Sequence, residues 1–258
     1  MFLLKTLRMG RGTLLLLYLP YILIQMACQA PKETDFPRMG FNLAVFEKNN
    51  CYGERCANVS FSYPEFDSSH PYSQQINTHI EEQLKMYLQF GVFHDYETLD
   101  AAVDDFFEVF ELEEDTVLWS VDVEARVSYM TERLISIEFK NLSHTGGNHP
   151  NEHLMFLNFD LDQQSLMVRE DVVLDHGKLI EKADRAFKNY HQVSMTKSLQ
   201  EDGRFFLEEG TIFLPFSIGY RGSNLVLYYN HYEISPYDMG PTELLFPLSE
   251  LKNIVLIK

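Results

Sequence analysis

The sequence predicts an α+β fold, a two-part module of antiparallel sheets each packed by one or two helices. Three observations lead there. Two neighbouring segments carry apolar residues at helical spacing, the period then switches to two after Asp115, and a third helical segment sits among the remaining strands. Helices grouped ahead of strands, rather than alternating with them, favour a segregated architecture over a doubly wound parallel sheet. The 258 residues, 45% hydrophobic and 23% charged, suffice for two cores and exclude a disordered or low-complexity chain.

The chain opens with Lys5, Arg8 and Arg11, continues through the apolar run Thr13 to Ile24, and passes small residues to reach Ala27 and Cys28. Basic, then apolar, then small is the order of a secretory signal over residues 1–27. The run is shorter than the roughly 20 residues a membrane span requires and is broken by Pro20, which argues against a retained anchor. Gln25-Met26-Ala27-Cys28 resembles a bacterial lipobox. That resemblance implies a lipid on Cys28 and a lipoprotein of the bacterial cell envelope, exported across the inner membrane, either periplasmic or attached to the outer membrane. A plain signal peptide cut nearby is the alternative. Residues 28–38, polar and carrying Pro31 and Pro37, read as a flexible stalk.

Residues 39–145 form the expected N-terminal subdomain. Phe41 to Phe46 and Ala57 to Tyr63 read as short strands around Cys51 and Cys56, and Gly53 allows the chain to reverse between them. An exported compartment permits a Cys51–Cys56 disulfide, with two free thiols as the alternative. Tyr72 to Phe90 sets Ile76, Ile80, Leu84, Tyr87 and Leu88 on one helical stripe, and Leu99 to Phe110 does the same with Leu99, Val103, Phe106 and Phe110. The carboxylates of Asp100, Asp104, Asp105 and Glu108, running on to Glu111, Glu113, Glu114 and Asp115, read as a solvated face. From Val117 to Val127 apolar and polar residues alternate, the mark of a strand with one buried face. Leu134 to Phe139 is the next strand.

Residues 146–258 form the expected C-terminal subdomain. Leu154 to Leu161 continues an antiparallel meander through the glycine-containing stretch 144–151, and Leu179, Ile180, Ala183, Phe187 and Tyr190 mark a helix over roughly 176–198. Strands are expected near 211–218, 224–230 and 243–247, with Ser249 capping a short terminal helix.

The 21 basic and 38 acidic residues give a formal charge of −17, which becomes −20 once Lys5, Arg8 and Arg11 leave with the signal. Such a surface repels nucleic acid and suits neutral or cationic partners. The densest catalytic pattern is His149-Pro150-Asn151-Glu152-His153, which satisfies H-x-x-E-H: on a helix His149 and His153 share a face for zinc while Glu152 activates water. The context opposes it, because Gly146-Gly147 precede the motif, Pro150 interrupts it and β-prone residues follow. On a strand the two imidazoles stand about 13 Å apart, too far for one ion. The same spacing occurs in polysaccharide deacetylases, with His144 as a third ligand, but the Thr-Phe-Asp-Asp stretch they also need is missing from this sequence. G-x-S-x-G, P-loop and G-x-G-x-x-G patterns are missing as well, and no cofactor is expected. A zinc hydrolase is therefore the alternative reading. The favoured one is a binding module without catalysis of its own, for which His149, Asn151, Tyr232, Glu233 and Tyr237 are the candidate ligand-binding residues. Tyrosines clustered beside Pro and Gly over Tyr228 to Pro241 can line a sugar- or peptide-binding rim, or cap the core.

Two signatures carry a family resemblance. Thr145 to Asn151, followed by Asn158-Phe159-Asp160-Leu161, and Tyr232 to Pro241, followed by Phe246 to Leu251, are similar in kind, order and separation to the extracytoplasmic region shared by the anti-sigma factor RsiV and the peptidoglycan deacetylase PdaC. The resemblance covers roughly residues 40–258. It implies a two-part α+β module without known catalytic residues, used by one relative to sense lysozyme and joined in another to a separate deacetylase domain. The chain is expected to be that module alone on a lipid. Its expected partners are the membrane, through Cys28, and a cationic protein such as a lysozyme or an envelope glycan.

Overall fold

A computed structural model describes residues 39–68, 70–113 and 118–258; residues 1–38, with the expected signal, the expected lipidation site Cys28 and the expected stalk, lie outside the described residues. Strands β1 (Phe41–Tyr52) and β2 (Arg55–Phe66) pair antiparallel over their whole length, and the Gly53-Glu54 turn is made possible by the left-handed φ of 69° at Gly53. Cys51 and Cys56 are direct partners in this register and form a disulfide with a Cα separation of 4.1 Å. The two strands run well beyond the short segments expected from sequence.

Helices α1 (Ser73–Met86) and α2 (Leu99–Leu112) form the connection from β2 to β3 (Leu118–Met130), and β2 and β3 are consequently parallel, the one exception to the antiparallel pairing expected. The Thr98 hydroxyl caps α2 by accepting from the Ala101 amide at 3.2 Å. Strands β4 (Leu134–Thr145), β5 (Asn151–Asp160) and β6 (Ser165–Met167) complete a six-stranded sheet in sequential order. β6 is too short to announce itself in the sequence. The alternation of β3 places Trp119, Val121, Val123 and Ala125 beneath the two helices, where they meet Ile76, Ile80, Leu84, Val103, Phe106 and Phe110 in one core. The acidic side of α2 points outward, and its Asp100 and Asp104 pair with Lys48 of β1 at 2.5 and 3.6 Å.

The expected division between 145 and 146 falls in the loop joining β4 to β5, and the first core draws residues from as far on as Leu161. A second core begins with Leu134 and Met167 and gathers α4 (His176–Tyr190) against β7 (Ser217–Arg221), β8 (Asn224–Tyr229) and β9 (Thr242–Pro247), a three-stranded antiparallel sheet. Two short helical turns, α3 (Arg169–Val172) and α5 (Leu199–Asp202), flank α4.

Three expectations need correction here. The third helix stops at Tyr190, which is 53% exposed rather than on the buried stripe; beyond it Gln192 adopts a left-handed φ of 57° and the Ser194 and Thr196 hydroxyls bond each other. The strand expected at 211–218 begins only at Ser217. Ser249 lies inside the 3-10 turn Leu248–Glu250 and makes no cap, since Pro247 precedes that turn.

The small sheet packs on the side of the large one that faces away from α1 and α2. Phe156 and Leu154 of β5 meet Val226 and Tyr228 of β8, and Gly219 of β7 lies against the Phe156 ring. Polar side chains join the layers: Ser136 Oγ accepts from the Tyr220 amide at 3.1 Å, and Asn158 Nδ2 donates to the Ile218 carbonyl at 2.8 Å. Glu138, buried at the same junction, accepts from Arg126 at 2.7 Å and from Arg221 at 2.6 Å, so its carboxylate is paired from both layers.

Candidate functional site

The His149–His153 segment is a turn entering a strand. Gly146 takes a left-handed φ of 86°, residues 146–150 form the loop after β4, and β5 starts at Asn151. The three side chains of the zinc pattern then point to different surroundings. His149 is exposed and stacks on Tyr237, with ring centroids 4.8 Å apart. Glu152 extends toward Lys140, whose Nζ is 3.4 Å from its carboxylate. His153, opposite Asn141 in the β4–β5 register, turns toward Tyr87, and burial pushes its imidazole below the ordinary pKa. The helix that the zinc reading requires is not formed, and strand geometry separates the would-be ligands. Among the described residues no group of three or more His, Cys, Asp or Glu side chains is arranged to hold a metal ion.

The loop that follows β8 is built against the start of β5. Asn230 extends the ladder with its side chain: Oδ1 accepts from the Leu154 amide at 2.8 Å and Nδ2 donates to the Leu154 carbonyl at 3.0 Å. Glu233 clamps the loop from behind, accepting from the amides of Phe216 at 2.7 Å and Asn230 at 2.8 Å. Burial raises its pKa, and those two hydrogen bonds oppose the rise. Glu233 is thus committed to the backbone rather than free for a ligand.

Tyr237 is the centre of the loop's outer surface. Its hydroxyl donates to the Pro150 carbonyl at 3.1 Å, and its ring lies between His149 and His231, whose centroids are 4.8 and 4.3 Å away at interplanar angles of 22° and 23°. Tyr232, held at a left-handed φ of 64°, brings its ring to 5.5 Å from Tyr237. A non-glycine residue in that region of backbone space is held there by its surroundings. The structure therefore joins His149, Tyr232 and Tyr237, the last two 83 and 88 residues from the first along the chain, and sets Asn151 exposed at the head of β5.

Tyr232 also forms one wall of a cavity of about 630 Å3, which Arg169, Phe206, Phe213, Phe216 and Glu233 help to line. Phe216 is 89% exposed, Tyr232 64% and Phe206 49%, so an aromatic surface continues from Phe206 across Tyr232 to the Tyr237 stack. Sequence reasoning missed His231, Arg169, Phe206 and Phe216. His231 could have been found from its position beside Tyr232. Nothing in the local sequence marks Phe216, because Ile212, Leu214 and Ile218 at the same parity are all buried. Chemically this surface offers ring faces for apolar or cationic groups, with the Glu208 carboxylate and the Arg169 guanidinium in the same lining.

Residues 171–249 match the family model described as "Protein of unknown function (DUF3298)". That stretch contains α4, the small sheet and the whole loop carrying Tyr232 and Tyr237. Two solved structures share the fold. One is a DUF3298 family protein from Pseudomonas aeruginosa PAO1, with a TM-score of 0.63, 20% identity, and coverage of 85% of this chain and 95% of that one. The other is a DUF3298 family member from Bacteroides fragilis NCTC 9343, with a TM-score of 0.61, 17% identity, and coverage of 84% and 94%. No curated protein matches the chain.

Proposed function

We propose that this chain is a binding module of the bacterial cell envelope, exported as a lipoprotein held by a lipid on Cys28, and that its aromatic surface engages a cationic protein such as a lysozyme. The observation that carries this reading is the run of rings from the exposed Phe216 and Tyr232 to the half-buried Tyr237 on a chain whose formal charge is −17. Lys and Arg side chains gain from ring faces and from the negative field together. The Cys51–Cys56 disulfide suits an oxidising compartment, and the basic-apolar-small order of residues 1–27 supports export. The likeness of Thr145 to Asn151 and Tyr232 to Pro241 to the RsiV and PdaC region supports lysozyme as the first partner to try. Envelope glycan is the second reading, favoured by the stacked Tyr237, since flat ring faces also take the apolar faces of sugars.

A biosensor carrying the protein tests both. Lysozyme is expected to bind at low ionic strength with an affinity that falls as salt is added. The Phe216→Ala/Tyr232→Ala variant, altered at exposed positions, is expected to lose at least about tenfold, the effect of one or two interface anchors. Absence of binding at low salt, or an unchanged affinity in the variant, refutes the cationic-partner reading. Binding of soluble peptidoglycan fragments that the same variant abolishes would support the glycan instead.

A further inference from the structure

We propose that a groove remote in chemistry from the aromatic rim, between α1 and the β5–β6 edge, binds a small amphipathic cation: an aliphatic body ending in a primary ammonium. The groove has a volume of about 410 Å3, within the range of small-molecule sites. Its floor is apolar, formed by Leu157 of β5 and Leu166 of β6, and at its mouth Met86 and Phe93 stand 50% and 64% exposed. Two large apolar side chains left in water beside a concave apolar floor are covered when an aliphatic chain enters.

The wall opposite α1 is held in place before any ligand arrives. Gln89 reads the His94 backbone in both directions, its Nε2 donating to the carbonyl at 2.8 Å and its Oε1 accepting from the amide at 3.0 Å. Lys85 Nζ donates to the Tyr96 carbonyl at 2.8 Å, and the Tyr96 hydroxyl donates to Asp105. Such preorganisation lowers the entropy cost of binding.

Charge decides the polar end of the ligand. Lys85 is the ammonium in the lining, 15% exposed and committed to Tyr96, whereas Glu82 is 56% exposed and Asp95 also opens to the groove. His79 reaches Glu82 at 3.1 Å through Nδ1, a contact that leaves the second carboxylate oxygen free to accept. Two carboxylates against one engaged ammonium, within a strongly acidic molecule, favour a cation and repel a carboxylate of the same length.

Octylammonium, octanol and octanoate share one carbon skeleton and differ in head-group charge, so together they test the inference on the purified protein. Titration calorimetry is expected to show octylammonium binding roughly tenfold more tightly than octanoate, a preference that salt weakens. Methyl resonances of Leu157 and Leu166 are expected to shift on saturation. Glu82→Gln combined with Asp95→Asn, both surface changes, should erase the preference and leave octanol unaffected, while Phe93→Ala should weaken all three. Equal affinity for octanoate, no saturable octylammonium binding, or an undiminished preference in the charge variant overturns the inference. The rim variant Phe216→Ala/Tyr232→Ala should bind octylammonium as the parent does; loss there instead assigns the binding to the rim and overturns it too.

Discussion

Gly219→Ala tests how closely the two sheets are packed. An alanine Cβ at this position would sit 2.1 Å from Phe156 Cγ, 2.4 Å from its Cδ1 and 2.5 Å from its Cβ. Ordinary carbon contacts lie near 3.5 to 4.0 Å, so more than an ångström of separation must be found. The contacted atoms are at the base of the phenylalanine, and rotating the ring about its own axis does not clear them. Phe156 is also only 7% exposed, packed with Leu154, Val226 and Tyr228 under the Arg221 guanidinium. The relief therefore has to come from the backbones of β5 and β7, which the Asn158–Ile218 and Ser136–Tyr220 bonds hold together. Overpacking of this kind costs about 1–3 kcal/mol. The usual advantage of alanine over glycine in a strand, up to about 1 kcal/mol, offsets part of it. A net loss of about 1–2 kcal/mol corresponds to a fall in Tm of roughly 2–8 °C in a domain of this size. Urea and thermal unfolding followed by circular dichroism measure it, and Phe156→Ala, which removes the contacted Cγ and Cδ1, should cost less in the Gly219→Ala background than in the parent, a coupling between the two sites. A Gly219→Ala protein as stable as the parent, or additive effects in the double variant, would refute the close approach of the sheets.

Two further expectations concern covalent and proton linkage. Replacing Cys51 and Cys56 with serine opens a loop with a sequence separation of 5 and should cost about 2 kcal/mol from chain entropy, seen as a lower urea midpoint that reduction of the parent reproduces; a midpoint insensitive to both would show that the bridge adds nothing. His153 and His191 both have imidazoles pushed below the ordinary value of 6.5, chiefly by burial and at His191 also by Arg204. The folded state therefore binds fewer protons than the unfolded chain just below pH 6.5, so stability is full above that pH and declines as acid is added through the window beneath it. Unfolding midpoints from pH 7.5 to 5 should fall in the parent and flatten in His153→Gln/His191→Gln, whereas parallel profiles would assign the acid sensitivity to other groups.

Much of the framework was legible because it depends on periodicity. The stripe Ile76, Ile80, Leu84 and the alternation Trp119, Val121, Val123 each specify a face without reference to the rest of the chain, and both faces are buried as expected. The cysteine spacing around Gly53 likewise announced a local hairpin. Where local chemistry competes with pattern, the expectation failed: Gln192 turns left-handed just after α4 and the Val193 amide closes back on the Lys188 carbonyl, ending the helix early, and Pro247 leaves Ser249 no role as a cap. The candidate rim was half visible. Tyr232 and Tyr237 stood out by composition and His149 by motif, but Glu233, equally conspicuous, turned inward to clamp two amides.

By itself the sequence determined the class of fold, the sidedness of its helices and strands and the acidic field, since these depend on residues within a few positions of each other or on sums over the chain. Tertiary structure alone decided that His149, His231, Tyr232 and Tyr237 form one stack, that His153 and Glu152 diverge from it, and that Phe216 is exposed among buried neighbours of the same parity. Those outcomes follow from how the loop after β8 docks on β5 through Asn230, a contact across 76 residues. Its energy comes from pairing backbone groups that local pattern leaves unassigned.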